Sequence, residues 1–247
     1  MPEGRTRRAL EFALLTWQRP ERRKLALAIA AALVAAIAFT HVTEDYLTND
    51  PLARWDVTFA RWLAARRTTA GIDFFRTIGW LGSPATAVLL GAILCVLLFR
   101  RRHVVDAGLL VIVVAGTELL NTILKLAFHR QRPQVSFVHL DTYSYPSGHA
   151  MMATAFYGAV AYLLCRRLPG IWPRVAVVGA AVALVVVLGF SRLYLGMHYL
   201  SDVLGGYAGG AFWLALSIAV ALAYGERLAR RFDGSRADRL VRSLTRS

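Results

Sequence analysis

Carboxylates are scarce in this sequence and cysteines scarcer. Fifteen Asp and Glu stand against 29 Lys and Arg. Nowhere do the acidic residues cluster as an oxygen cage for Mg²⁺ would require. Cys95 and Cys165 are the only cysteines. Neither has metal-ligand spacing or a nearby partner, which argues against a disulfide framework or a thiolate centre and leaves two packed thiols. Internal repeats and low-complexity linkers are also lacking. The net charge of +14 would suit nucleic acid, but it sits mostly in the tails and in short loops between apolar runs. There it reads as topogenic charge, and no nucleic-acid partner is expected.

What is abundant is apolar surface. The chain is 57% hydrophobic with a mean hydropathy of +0.48, above the level of soluble domains, so an integral membrane protein is expected. Six transmembrane helices are read at roughly 24–41, 84–99, 104–128, 149–166, 171–190 and 203–224, the second being the shortest against the ~20 apolar residues that a bilayer asks for. The first run follows a basic stretch ending at Lys24 and has no small-x-small cleavage site before a polar start. It is therefore expected to remain as an uncleaved span. With the N-terminus in the cytoplasm, 20 of the 29 basic residues fall on the cytoplasmic side, the bias that sets orientation.

The segment 43–83 is the one sizeable outer stretch. Leu52, Trp55, Phe59, Trp62 and Leu63 recur at helical spacing, with Arg54, Thr58 and Arg61 on another face. That pattern suits an amphipathic helix in the interface, or one packed on the spans. Gly205, Gly206, Gly209 and Gly210 form two small-xxx-small pairs that permit close helix approach. The expected fold class is all-α and polytopic. It has a cytoplasmic basic tail over 1–23, a six-span membrane domain over 24–225 that includes the outer segment 43–83, and a second cytoplasmic basic tail over 226–247 suited to an anionic inner leaflet.

Polar residues gather where four of these runs end. Lys125 and Arg132-Pro133 close the third span, Pro146-Ser147-Gly148-His149 opens the fourth, and Ser191-Arg192, His198 and Asp202 lie between the fifth and sixth. The assumed orientation puts all of them outside. Arginine's planar fork bonds two oxygens of a phosphate at once. Lys125 lies about 10 Å from Arg132 along an ideal helix, so the chain must bend before Pro133 for both to reach one anion. Ser147 suits an N-cap and Gly148 a close backbone approach, which together with free helix N–H groups make an anion site. His149 at that mouth can protonate a leaving alkoxide. His198 and Asp202, four apart, share a helix face, and a carboxylate on one ring nitrogen frees the other to attack. Each piece alone also has a plain reading: snorkelling cations, helix capping, a surface ion pair. Glu118, Asn121 and Lys125 are spaced along one helical face, and Glu118 is a possible partner for a cation or a lining of a polar cavity below the site.

The ordered triple Lys125-x6-Arg132-Pro133, Pro146-Ser147-Gly148-His149 and Ser191-Arg192-x5-His198-x3-Asp202 resembles the three-part signature of the phosphatidic acid phosphatase type 2 superfamily, in its bacterial membrane-bound lipid phosphatase branch. Every signature position matches, in order, from Lys125 to Asp202. The resemblance implies that His198 is the nucleophile forming a phosphohistidine, that Asp202 orients it, and that His149 is the general acid. It implies that Lys125, Arg132, Ser147, Gly148 and Arg192 hold the phosphate oxygens and that no metal or other cofactor is needed. It further implies a lipid phosphate substrate at the outer face of the plasma membrane, of the undecaprenyl pyrophosphate, phosphatidic acid or phosphatidylglycerol phosphate class. The same pocket would also serve a lipid phosphotransferase. A lipid or anion transporter is a third reading, but it lacks inverted repeats and leaves the histidines idle.

Overall fold

The computed structural model describes residues 20–48, 51–137 and 141–244, with side chains as far as Gly225. The basic stretch before Pro20 and the side chains from Glu226 onward lie outside the described residues. Eight α-helices follow in order: α1 Pro20–Thr48, α2 Pro51–Ala64, α3 Thr69–Gly79, α4 Pro84–Arg100, α5 Val104–Phe128, α6 Gly148–Cys165, α7 Ile171–Tyr194 and α8 Leu200–Leu244. A 3-10 turn, Trp80–Gly82, joins α3 to α4. No strand occurs among the described residues.

Among the described residues, five helices are long and apolar enough to cross a bilayer: α1, α5, α6, α7 and the Leu200–Gly225 part of α8. The chain is a multi-pass membrane protein. Its second expected span differs from the others. Helix α4 has only 17 residues, and the count reaches six only if Thr69–Gly82 and Pro84–Arg100, bent by 44° at their junction, make one broken span. The break is locally encoded. Ser83 Oγ accepts from the Thr86 N–H at 3.1 Å, and Pro84 starts a new helix where its missing N–H costs nothing.

Burial follows the bilayer logic. Helix α7 turns Val175, Val178, Val182 and Val186 outward, all exposed, as lipid-facing apolar residues can be. Inside, Leu109, Leu110 and Val113 of α5 pack against Ala155, Ala159 and Leu163 of α6. Helix α8 packs on α1 and α6. Its approach to α6 needs glycine: a Cβ at Gly206 would stand 2.6 Å from the Ser147 carbonyl oxygen. At the far end of the bundle, Asp106 accepts from Arg166 at 2.8 Å and Arg167 at 2.5 Å, tying the start of α5 to the end of α6.

The segment 43–83 holds the end of α1, then α2, α3 and the 3-10 turn, and the helical spacing read from Leu52 to Leu63 falls within α2. Helix α1 runs on to Thr48, and α2 buries Leu63 while Trp55 and Trp62 stay exposed. Arg54, Thr58 and Arg61 are exposed as expected. Asp56, which the pattern did not single out, is buried.

Gly206→Ala tests the α6–α8 contact. Overpacking of this kind costs about 1–3 kcal/mol, so a lower thermal midpoint in detergent is expected. An unchanged midpoint would show that the helices are not held this closely.

Candidate active site

Helix α5 stops at Phe128 because His129 adopts a left-handed conformation, φ 49° and ψ 29°, and residues 129–133 continue as irregular chain. Pro133 disfavours helix just before it. The break brings two cations that a straight helix would separate onto one loop. Lys125 Nζ donates to the Tyr143 carbonyl. Arg132 donates to the Thr142 carbonyl and hydroxyl, each at 2.8 Å. Arg132 Nη1 also donates to the Met197 carbonyl at 2.8 Å and lies 3.3 Å from His198 Nε2.

Ser147 stands at the N-cap position of α6 and is fully buried, but it departs from the expected cap. Its hydroxyl makes no capping bond and has no hydrogen-bond partner among the described residues. Its N–H donates instead to the Asp202 carbonyl at 2.9 Å, joining the starts of α6 and α8. Gly148 is confined by a side chain: a Cβ there would stand 2.9 Å from Asn121 Oδ1. Asn121 Nδ2 in turn donates to the Pro146 carbonyl at 3.3 Å. Asn121 thus braces the turn that delivers His149. Arg192, His198, Arg132 and Lys125 all stand close enough to the His149 imidazole to influence it electrostatically, so residues from all three sequence clusters meet at one end of the bundle.

Arg192 comes from the last turn of α7. Its Nε donates to Ser191 Oγ at 2.9 Å, its Nη2 donates to the Phe75 carbonyl at 3.4 Å, and its guanidinium lies against Gly79 of α3. His198, on the α7–α8 turn, is 4% exposed and its neighbour Asp202 is 0% exposed. Nδ1 faces Asp202 Oδ2 at 3.4 Å, a long approach that becomes an ion pair only when the ring is protonated. Burial pushes the imidazole of His198 down to about 4. The hydrogen-bonding pull and negative charge of Asp202 oppose that shift, and the charges of Arg132 and Lys125 add to it. A shift in this direction favours the neutral ring, the form that a nucleophilic imidazole would need.

Glu118 stands apart. It is exposed on α5, and no cation pairs with it within 4.0 Å among the described residues. A cavity of about 1160 Å³ lies in the bundle toward the opposite end, between Lys24, Asp106, Arg166 and Gly225 and, at its near limit, Tyr207.

Three residues at the site escaped the sequence reading. Arg130 donates to Asp202 Oδ1 at 2.6 Å, to Ser201 Oγ at 2.6 Å and to Asp56 Oδ2 at 2.7 Å. Asp56 also accepts from the Ser201 N–H at 2.9 Å. One signal was available. Asp56 lies four residues after Leu52, three before Phe59 and seven before Leu63, on the inward stripe of α2 where a carboxylate needs a reason.

The arrangement can bind a tetrahedral oxyanion. Three cations, a serine hydroxyl without a partner among the described residues and the N-terminus of α6 gather at the same end of the bundle as the His198 imidazole. Comparison with known proteins points the same way. A profile described as the PAP2 superfamily matches residues 106–225. The chain is 42% identical over 106 residues to phosphatidylglycerophosphatase B of Bacillus subtilis, covering 42% of this chain and 52% of that protein. The chain therefore spans about half the length of that relative. It is 37% identical over 151 residues to decaprenylphosphoryl-5-phosphoribose phosphatase of Mycobacterium tuberculosis, covering 58% of this chain and 73% of that one. Among solved structures, the transmembrane PAP2-type phosphatidylglycerolphosphate phosphatase from Bacillus subtilis superposes with a TM-score of 0.67 at 28% identity, covering 78% of this chain and 94% of that chain.

Arg132→Lys keeps the charge and loses the fork. Charge-assisted hydrogen bonds are worth about 1.5–3 kcal/mol, so inorganic phosphate or vanadate should bind roughly tenfold more weakly or worse by calorimetry. Equal affinity would remove Arg132 from the anion site.

Proposed function

The chain belongs to the PAP2 superfamily, and from that premise we propose that it is a membrane phosphatase. It removes phosphate from a lipid phosphate or pyrophosphate at the outer membrane face, through a phosphohistidine on His198. The observation that carries the reading is the setting of His198: Nδ1 toward Asp202 at 3.4 Å, and Nε2 3.3 Å from Arg132 Nη1, on the cationic side.

In this reading Arg132, Arg192, Lys125, Ser147 Oγ and the Gly148 N–H take the phosphate oxygens. They stabilise charge that spreads over those oxygens in the transition state. Nε2 of His198 attacks phosphorus in line, and the bond from phosphorus to the lipid oxygen breaks. His149, protonated, gives its proton to that leaving oxygen. Asp202 accepts Nδ1–H, fixing the tautomer and stabilising the charge that the ring acquires. Water, deprotonated by His149, then attacks the phosphoamide, frees inorganic phosphate and restores the imidazole.

The membrane layout supports an outward site. By sequence, 20 of the 29 basic residues fall in the tails and loops that the positive-inside rule assigns to the cytoplasm. The bent α3–α4 pair would complete six crossings. Helix α2, with exposed Trp55 and Trp62, would lie at the outer interface. Residues 24–225 would then form the catalytic membrane domain between two cytoplasmic basic tails. The relatives are named for a glycerophospholipid phosphate and a polyprenyl-linked sugar phosphate. A phosphate carried on a lipid is the common chemistry, and we extend it to this chain.

The test is a panel of lipid phosphates and pyrophosphates in mixed micelles with EDTA present. Wild-type protein should release inorganic phosphate, and His198→Ala should lose roughly three orders of magnitude or more in kcat. Full activity in that variant, or loss with EDTA, would end the reading.

The pH profile is a separate check. A free imidazole takes its proton near 6.5. His198, depressed to about 4 mainly by burial, stays neutral as pH falls through 6.5 and is protonated only near 4. After correction for substrate ionisation, the acid limb of kcat/KM due to this group should lie near 4. A limb at or above 6.5 would contradict the buried, neutral nucleophile.

A further inference from the structure

We propose that Arg130 and Asp56 are positioning residues for the His198 imidazole, acting through Asp202. The proposal rests on the reading of His198 as nucleophile. A carboxylate can orient an imidazole only if its own rotation is stopped, and a single hydrogen bond does not stop it. Asp202 is held on both oxygens: Oδ2 accepts the Tyr199 N–H at 2.8 Å, and Oδ1 accepts Arg130 Nη1 at 2.6 Å. The side that remains, beside Oδ2, is the one that faces His198 Nδ1.

Arg130 is itself immobilised. Its guanidinium lies between the rings of Tyr46, 4.3 Å away, and Tyr199, 4.5 Å away. Its second nitrogen donates to Asp56 at 2.7 Å. Asp56 is fixed in turn by the Ser201 N–H at 2.9 Å and the Ser201 hydroxyl at 2.5 Å. A continuous set of short bonds thus runs from α2 to Asp202, whose Oδ2 faces His198 Nδ1 at 3.4 Å, with α1 supplying Tyr46 and the α5–α6 connection supplying Arg130. Every acceptor oxygen in it is buried.

The charge count has a purpose in this arrangement. Two carboxylates share one guanidinium. Arg130 therefore does not neutralise Asp202 completely, and residual negative charge remains to face the ring nitrogen when the imidazole turns cationic. Asp56 acts here by competing for Arg130 as well as by holding it. Removing Asp56's charge would let Arg130 draw Asp202 away from His198. Removing Arg130 would free Asp202 to rotate. Both routes leave the phosphate-binding cations Lys125, Arg132 and Arg192 in place, so the loss should fall on turnover rather than on substrate affinity.

The experiment compares wild type, Asp56→Asn, Arg130→Gln, Asp202→Asn and the two double variants with Asp202→Asn, using short-chain phosphatidic acid in mixed micelles and protein labelled with ¹⁵N-histidine. Partners that orient a functional histidine typically matter by about 10–100-fold. Asp56→Asn and Arg130→Gln should therefore lower kcat by that factor with KM within about twofold. Neither should add appreciably to the loss in Asp202→Asn, because all three act through one carboxylate. The ¹⁵N shifts of the His198 ring should move from a single Nδ1–H tautomer toward a mixture. Additive losses, an effect confined to KM, or an unchanged tautomer would overturn the proposal. Asp56→Asn is nearly isosteric and decides the matter if Arg130→Gln fails to fold. If wild type releases no phosphate from any lipid phosphate, the phosphatase reading falls, while the tautomer comparison still decides whether Arg130 and Asp56 position His198.

Discussion

An ionised carboxylate taken out of water is costly unless charge and hydrogen bonds meet it, and the site is organised around meeting two of them. Asp202 and Asp56 are almost wholly buried. Arg130 lies between them, the Tyr199 and Ser201 N–H groups complete their shells, and His198 stands on the remaining side of Asp202. Removing one partner of a buried pair typically costs about 3–5 kcal/mol, against a net stability of about 5–15 kcal/mol for a whole domain. Stability and chemistry therefore draw on the same few atoms. The turn before α8, the loop after α5 and helix α2 supply the groups that match these charges.

Helix packing places the remaining groups. Small residues let α8 lie against α6, so the Ser147 N–H reaches the Asp202 carbonyl and His149 comes to the same end as His198. Early termination of α5 turns Lys125 and Arg132 onto one loop. Arg192 is pinned by Ser191 and by the backbone of α3. Cations held this way need little reorganisation when charge develops on an oxyanion, which is where most electrostatic catalysis arises.

Much of this was legible before any coordinates. The all-helical membrane architecture follows from apolar runs, and the meeting of Lys125, Arg132, His149, Arg192, His198 and Asp202 follows from their places at run ends. What local patterns cannot carry is long-range pairing. Asp56 and Ser201 are 145 positions apart, and Arg130 lies 74 positions from Asp56. Nothing in the neighbourhood of any one of them names the others. Arg130 was also masked by Arg132, since two like residues two apart compete for one role. Ser147 shows the opposite error. Serine before a helix reads as a cap, yet its hydroxyl is left unbonded inside the site. The second span, read at 84–99, coincides with α4, and what the sequence does not carry is that this short helix makes a full crossing only together with the bent Thr69–Gly82 before it.

The central claim is that the Nε2 of His198 forms a bond to phosphorus. Rapid alkaline quench of the enzyme turning over a ³²P-labelled lipid phosphate, followed by peptide mapping, examines that bond directly. The account expects acid-labile, base-stable label on the peptide that carries His198. Label on another residue, or turnover with no enzyme-bound phosphate at any quench time, would contradict it.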